Sequence, residues 1–555
     1  MPPKMRTADA IVDSLVANGV DTFFGLPGVQ TYPLFDAVQR RANVIRTIGS
    51  RHEQGIAYMA FGYARSTGKL GVFCAVPGPG VLNTTAAMCT ALGSCSPMLC
   101  LTGEVPTQFK GRGRGHVHEL PDQLGILERL TRYAAHIESP AEVPHRMKEA
   151  ISAAVSGRPG PAALSICWDT LAEESEIGPA LDAGVSAPAP TDPGQVAECV
   201  KLILGARRPM IFTGSGAQHA APEIAALAKR IGAPVVGFRG GRGVVGEDQP
   251  LGINMVAALR LWPRIDLMIG IGSRLELPFM RWSSPTSLVR RLQGRKLIRI
   301  DVDPTEMNRL DVDGPLVADS AVGVNSLLKA LDAAGFTPYP DRDAIAEAKA
   351  RATVEIREVQ PQVEYLDVIR EVLPPDGFFV EELSQVGFTS NFAYPVYRPR
   401  TYVSCGYQGT LGFGFPTALG VKVAHPDKPV VSVTGDGGFM FGMPELATAV
   451  QHGIGLVTLV FDNGGYGNVR RDQVKRFGGR VIGADLINPD FVKLAESFGV
   501  DAVAVDNPAE LRPALERALG LAAPALIHVR VPRGSESSPW KFIYPSMEKD
   551  FVHDQ

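Results

Sequence analysis

Asp436 and Asn463 stand 27 positions apart, each just past a strand-like run, Pro429–Thr434 and Leu456–Phe461. Asp436 offers a carboxylate and Asn463 an amide oxygen. A carbonyl in the Gly464-Gly465 turn offers a third oxygen. Such a small set of hard donors suits Mg²⁺, which completes its octahedron with phosphate oxygens and water. Gly437 and Gly438 would let the backbone approach a diphosphate. The following helix, expected around Pro444 to His452, would favour its charge. Gly-Asp-Gly alone is common in turns; two such strand ends at this spacing are far more specific.

Three other groups carry possible chemistry. Arg51-His52-Glu53-Gln54-Gly55 follows the strand-like Val44–Ile48 and opens a helix rich in small residues. A lone Glu at a helix start ordinarily serves the macrodipole. His118, in the polar stretch Arg112–Glu119, can titrate near neutral pH and could handle a proton or a carbonyl. It could equally be a surface histidine, and His116 beside it is the weaker candidate. Finally, Val76-Pro77-Gly78-Pro79-Gly80 and Gly409-Thr410-Leu411-Gly412 are loops that bring backbone close to something.

The elements that must hold these groups alternate helix and strand. Thr7–Gly19 reads as a helix with Ile11, Val12, Leu15 and Val16 on one face, Thr7 capping its start and Gly19 its end. A strand Thr22–Phe24 runs into the turn Gly25-Leu26-Pro27-Gly28, and further strands are expected at Val72–Val76 and Met98–Thr102. This alternation predicts an α/β fold of three doubly wound parallel-sheet domains. Pro-rich or charged stretches at Gly184–Gly194 and Pro338–Arg357 divide the chain into 1–183, 191–337 and 358–535, with a tail at 536–555. In the middle segment, Pro209–Thr213 and Gly214-Ser215-Gly216 form half of a dinucleotide fingerprint. The third Gly is missing, and the next strand ends in Arg239 instead of an acid, so a structural Rossmann-like domain is expected, not a nicotinamide site.

Composition narrows the partners. The 555 residues are 45% hydrophobic and 20% charged, with net charge −3. Nothing here calls for nucleic acid or an anionic membrane. No apolar stretch suggests a signal peptide or a membrane span, so a cytoplasmic location is expected. The seven Cys include no C-x-x-C pair and read as buried thiols.

Gly435-Asp436-Gly437 followed at this distance by Asn463 resembles the thiamine diphosphate motif of the acetohydroxyacid synthase, pyruvate oxidase and benzoylformate decarboxylase superfamily. The style is most similar to acetolactate synthase catalytic chains, although the family's Asn-Asn pair is Asp462-Asn463 here. The resemblance implies a pyrimidine-binding first domain, a central domain and a diphosphate-binding third domain. It implies Mg²⁺ on Asp436, Asn463 and the Gly465 carbonyl. It also implies cofactor contacts at Gly28, Asn83, Gly409, Leu411, Asp436, Gly437, Gly438, Phe439, Asn463, Tyr466 and Gly467. Glu53 matches the family Glu that binds the aminopyrimidine and relays its proton. Gly409 would accept from the 4′-amino group, and Leu411 would wedge the cofactor into its bent form. Gly157-Arg158-Pro159-Gly160-Pro161 resembles the end of the family's first domain.

The activity implied by the resemblance is Mg²⁺-dependent decarboxylation of a 2-oxo acid, pyruvate first, with carboligation of the remaining fragment to a second carbonyl. Three departures bear on that. Val117-His118-Glu119 replaces Phe-Gln-Glu, Asp472 replaces a Trp, and Leu275-Glu276-Leu277-Pro278 replaces Phe-Asp-Asp-Arg. These changes point to an altered acceptor pocket or another fate of the fragment, the alternative being a 2-oxo acid decarboxylase or a thiamine-dependent C–C lyase. The resemblance further implies a homodimer or homotetramer with shared sites, and leaves open whether the central domain holds FAD, another adenine nucleotide or nothing.

Overall fold

The computed structural model describes residues 4–184, 187–283, 288–292, 294–337 and 342–545. Small parts of both expected linkers, and the tail beyond residue 545, lie outside the described residues.

Three six-stranded parallel sheets succeed one another along the chain. The first runs, in spatial order, Arg46–Gly49, Thr22–Gly25, Gly71–Ala75, Met98–Glu104, Pro161–Cys167, Tyr133–Ile137. The third runs Tyr402–Val403, Phe378–Glu381, Val430–Gly435, Val457–Asp462, Ala525–Arg530, Asp501–Val505. Both read second, first, third, fourth, sixth, fifth in chain order, so the same topology occurs twice. The central sheet, Gly252–Ile253, Val235–Gly237, Pro209–Thr213, Leu267–Ile271, Lys296–Asp301, Gly314–Val317, has the dinucleotide-fold order 3-2-1-4-5-6. Strands such as Pro161–Cys167 are buried at every position. That is why they read as continuous apolar runs, being covered by helices on both faces.

Helix Glu53–Thr67 joins the first and third sheets. It is buried from Gly55 to Ser66 and packs on helix Gly414–Ala424, itself buried almost throughout. A methyl group at Gly62 would lie 2.1 Å from the Thr417 carbonyl oxygen, and one at Gly420 would lie 1.9 Å from that of Met59. The crossing is therefore backbone against backbone. One hydrophobic core, including Phe24, Phe61, Phe73, Phe413, Phe415 and Phe439, continues from one sheet to the other.

Several local expectations are corrected. Helix Thr7–Ala17 has Arg6, not Thr7, at its N-cap. Lys4–Arg6 pairs with Glu174–Glu176, and the Thr7 hydroxyl and N–H both go to the Glu173 carbonyl. The charged stretch before Arg357 is a helix, Arg342–Ile356, whose Ala344, Ile345, Ala348 and Ala352 are buried in the core beneath helix Met255–Leu261. The Gly157–Pro161 segment leads into Pro161–Cys167, the last strand of the first sheet along the chain, so the first unit runs on past it. Arg158 instead reaches across to Asp303 (3.2 Å) and Glu306 (2.8 Å). All seven cysteines are free, five of them buried.

The helix crossing has a measurable consequence. Gly420→Ala should destabilise the unit containing both sheets by about 1–3 kcal/mol, the usual cost of overpacking. Gly178→Ala, where a methyl group meets nothing within 4 Å, should stay within about 0.5 kcal/mol of the parent. Urea unfolding followed by circular dichroism compares the two.

Candidate active site

The pairing of Gly435 with Phe461 sets the next residues, Asp436 and Asp462, side by side at the carboxyl ends of adjacent strands. Asp436 is 3% exposed. Its Oδ2 accepts from the Gly465 N–H (3.0 Å) and from Asn488 Nδ2 (2.7 Å), which also reaches Asp462 Oδ1 (2.8 Å). Burial raises the Asp436 pKa; the Asn488 bond opposes this and the neighbouring Asp462 adds to it. In Asp462 burial is outweighed by His528, 3.0 Å from Oδ2, and by the Gly464 N–H, so its pKa is lowered. The two neighbouring acids divide their charge unequally.

Asn463 completes the group. Its Nδ2 donates to Glu536 Oε2 at 2.6 Å, while its Oδ1 is buried and has no hydrogen-bond partner among the described residues. Leaving a buried acceptor unpaired costs roughly 1–3 kcal/mol, so this oxygen calls for a ligand. A carboxylate and a bare amide oxygen fit a hard cation such as Mg²⁺. Gly465, in the same turn, has its N–H on Asp436. Arg533 secures the turn by donating to the carbonyls of Asn463 and Gly464.

The helix after this motif starts earlier than expected. The helix begins at Asp436 itself and runs to Gly442, a 3₁₀ turn and Leu446–Gln451 completing it, so Gly437 and Gly438 lie in its first turn. A methyl group at Gly437 would strike the Tyr466 ring (2.4 Å), one at Gly438 Glu382 (2.6 Å), and one at Gly467 Asn463 Nδ2 (2.8 Å). These positions admit neighbouring side chains to the cluster. Phe439 turns its fully buried ring into the core against Phe415 and Phe491, leaving only its peptide group for a ligand. Glu382, not foreseen from sequence, accepts from the Gly412 N–H and the Thr434 hydroxyl. It thus ties the Gly409–Gly412 loop to the strand before Asp436. Burial pushes its pKa up to about 7 against those hydrogen bonds. Gly409 has φ 62°, which favours glycine, and is exposed; Leu411 is half-buried nearby.

The other group gathers at the carboxyl ends of the first sheet, around the point where its strand order reverses. Glu53 is the first residue of its helix, and its Oε2 accepts from Asn83 Nδ2 at 3.0 Å. A methyl group at Gly80 would come within 3.6 Å of Glu53 Oε1, and one at Gly28 within 2.3 Å of Val76. His118 lies over Gly78, where a methyl group would be 2.6 Å from the His118 carbonyl oxygen. The Gly78 N–H is held by the buried Gln123 (2.8 Å). Glu445 of the third unit accepts from the backbone N–H groups of Arg51 and His52, fixing the turn that presents Glu53. Among the described residues, no hydrogen bond joins Glu53 or Asn83 to the Asp436–Asn463 group.

A separate cleft of about 530 Å³ opens on the central sheet. Arg65, Arg158, Arg239, Arg274 and Arg400 line it. Burial, and then Arg400, push the Arg65 pKa down to about 10. Gly214 and Gly216 are explained by Gly272, whose backbone lies within 2.1 Å and 3.0 Å of methyl groups built there. Leu275–Leu277 also border this cleft, with Glu276 paired to Arg239 (3.2 Å).

Three family models match the chain in order: thiamine pyrophosphate enzyme, N-terminal TPP binding domain (residues 5–126), central domain (196–331) and C-terminal TPP binding domain (384–529). A probable acetolactate synthase large subunit of Methanocaldococcus jannaschii is 32% identical over 95% of this chain and 92% of its own. The acetolactate synthase of Arthrospira platensis is 30% identical over 97% and 96%. A probable 2-ketoarginine decarboxylase of Pseudomonas aeruginosa is 32% identical over 95% of each.

Glu536 lies 73 residues beyond Asn463 yet orients its amide. Glu536→Ala should weaken Mg²⁺ binding roughly 10–100-fold, as loss of a ligand's orienting partner typically does. Glu536→Gln keeps an acceptor and should lose less. Mg²⁺ titrations followed by calorimetry check this, and equal affinity in all three proteins would remove Glu536 from the site.

Proposed function

The chain belongs to the thiamine pyrophosphate enzyme family, and on that footing we propose that it decarboxylates a 2-oxo acid with Mg²⁺ and joins the remaining fragment to a second carbonyl. Pyruvate is the leading donor. The observation that carries this reading is the bare, buried Asn463 Oδ1 beside Asp436, together with Glu53 presented at a helix start. When bound, the cofactor supplies the nucleophilic carbon and the electron sink for loss of CO₂. Asp436, Asn463 and the Gly465 carbonyl would hold Mg²⁺ and through it the diphosphate. Glu53 would hold a proton at the pyrimidine ring nitrogen, with Asn83 orienting its carboxylate. Gly409 and Leu411 would lie under the bent cofactor. His118, beside the Gly78 loop, would face the substrate.

The second reading is a decarboxylase without carboligation. His118 and Asp472 in place of the synthase Gln and Trp favour it, and one relative bears a decarboxylase name. Mass spectrometry of products from the purified protein with cofactor, Mg²⁺ and a panel of 2-oxo acids separates the two. Acetolactate or acetoin from pyruvate supports the first, free aldehyde the second, and no turnover of any 2-oxo acid overturns both.

Glu53→Gln keeps the shape and removes the proton-handling group. Exchange of the cofactor's reactive C–H with solvent, followed by NMR, should slow by at least roughly a hundredfold. Unchanged exchange would return Glu53 to a purely structural role.

The proposed active unit is at least a homodimer with sites shared between subunits. Among the described residues, the Glu53 and Asp436 groups are not hydrogen-bonded to each other within one chain. Exposed Leu82 flanks the first, and exposed Phe441 and Ile487 flank the second, apolar surface that a second copy would cover. Mixing inactive Glu53→Gln chains with inactive Asp436→Ala chains should restore part of the activity, since a mixed dimer holds one intact site. No recovery after verified subunit exchange rejects the shared site.

A further inference from the structure

Gln30 is fully buried in the turn Val29–Thr31, just past strand Thr22–Gly25. Gly103 leaves it room: a methyl group there would lie 2.6 Å from the Gln30 carbonyl oxygen and 2.7 Å from its Cβ. The Gln30 amide Nε2 donates to the Val117 carbonyl at 2.9 Å. A backbone carbonyl only accepts, so this bond decides which end of the amide is nitrogen. Oε1 is thereby turned to His118 Nδ1, 2.8 Å away. An amide oxygen also only accepts, so the hydrogen of that bond belongs to Nδ1. Neutral His118 then carries its lone pair on Nε2. The backbone restrains the ring as well. His118 has φ 65°, rare for a residue with a side chain, and its carbonyl is packed against Gly78.

We infer that Gln30 is a positioning residue that holds His118 in the Nδ1–H tautomer, leaving a hydrogen-bond acceptor at Nε2 beside the Gly78 loop. The glutamine of the synthases could offer an amide N–H to a carbonyl oxygen at this place. Neutral His118 cannot, and selects a donor there, such as a hydroxyl or N–H of the substrate. The inference rests on the reading of His118 as a substrate-side group.

The test uses the full-length protein with thiamine diphosphate and Mg²⁺, ¹⁵N-labelled at histidine, at a pH well above the ordinary histidine value of about 6.5. Long-range ¹H–¹⁵N correlation spectra report each tautomer. The His118 signal, one of ten histidines, is identified by its loss in His118→Gln. Nδ1 should be protonated and Nε2 bare. Gln30→Met, similar in size but without an acceptor, should shift His118 towards the Nε2–H form and lower kcat roughly 10–100-fold at unchanged cofactor affinity. Gln30→Glu keeps the acceptor and should retain the tautomer. An Nε2–H signal in the parent protein overturns the inference, as does a Met variant with the parent spectrum. If Gln30→Met does not fold, the parent and Glu spectra decide. Should the tautomer be as stated while His118→Gln leaves kcat, KM and products unchanged, the lock stands and the substrate-side reading falls.

Discussion

The close crossing of helices Glu53–Thr67 and Gly414–Ala424 is the constraint on which the rest depends. Gly62 and Gly420 bring two backbones into contact, and the first and third sheets share a core as a result. That contact sets the helix start carrying Glu53 against Glu445. It also places the Gly409–Gly412 loop, which leads into Gly414–Ala424, where Glu382 can hold it. Neither unit could rotate against the other without prying apart backbone surfaces that have no side chains to yield.

Around Asp436 the protein concentrates acid. Asp462, Glu382 and Glu536 all lie close by; burial pushes the pKa of all four up, and in Asp462 alone hydrogen bonds outweigh it. Hydrogen bonds from Asn488, His528, Thr434 and Asn463 distribute that charge. They do not satisfy Asn463 Oδ1. A divalent cation would relieve both the repulsion and the orphaned oxygen. Arginines gather at the cleft beside the central sheet, and Arg158 joins the first unit to the acids Asp303 and Glu306 of the central one.

The chemistry-bearing positions with local signatures were legible in the sequence. Asp436, Asn463 and Glu53 come after apolar strands, and period and length alone place them at strand ends or a helix start. The three-layer α/β class came from the same alternation. Thr7 misled because its N–H and hydroxyl both go to the Glu173 carbonyl beside the Lys4–Arg6 strand pairing, which no local pattern announces. The helix start at Asp436 was hidden because two glycines read as a turn, whereas here they make room for Tyr466 and Glu382.

The sequence by itself determined which residues carry charge, which runs are buried and where the chain turns, because these are properties of neighbours. Only the tertiary structure decided that Glu536 faces Asn463, that Gln30 faces His118, and that Phe439 leaves the site for the core. It alone revealed that the first and third sheets repeat one strand order. Each of these depends on which distant segments lie side by side. Strand order is set by how helices pack over a finished sheet, and no spacing along the chain encodes it.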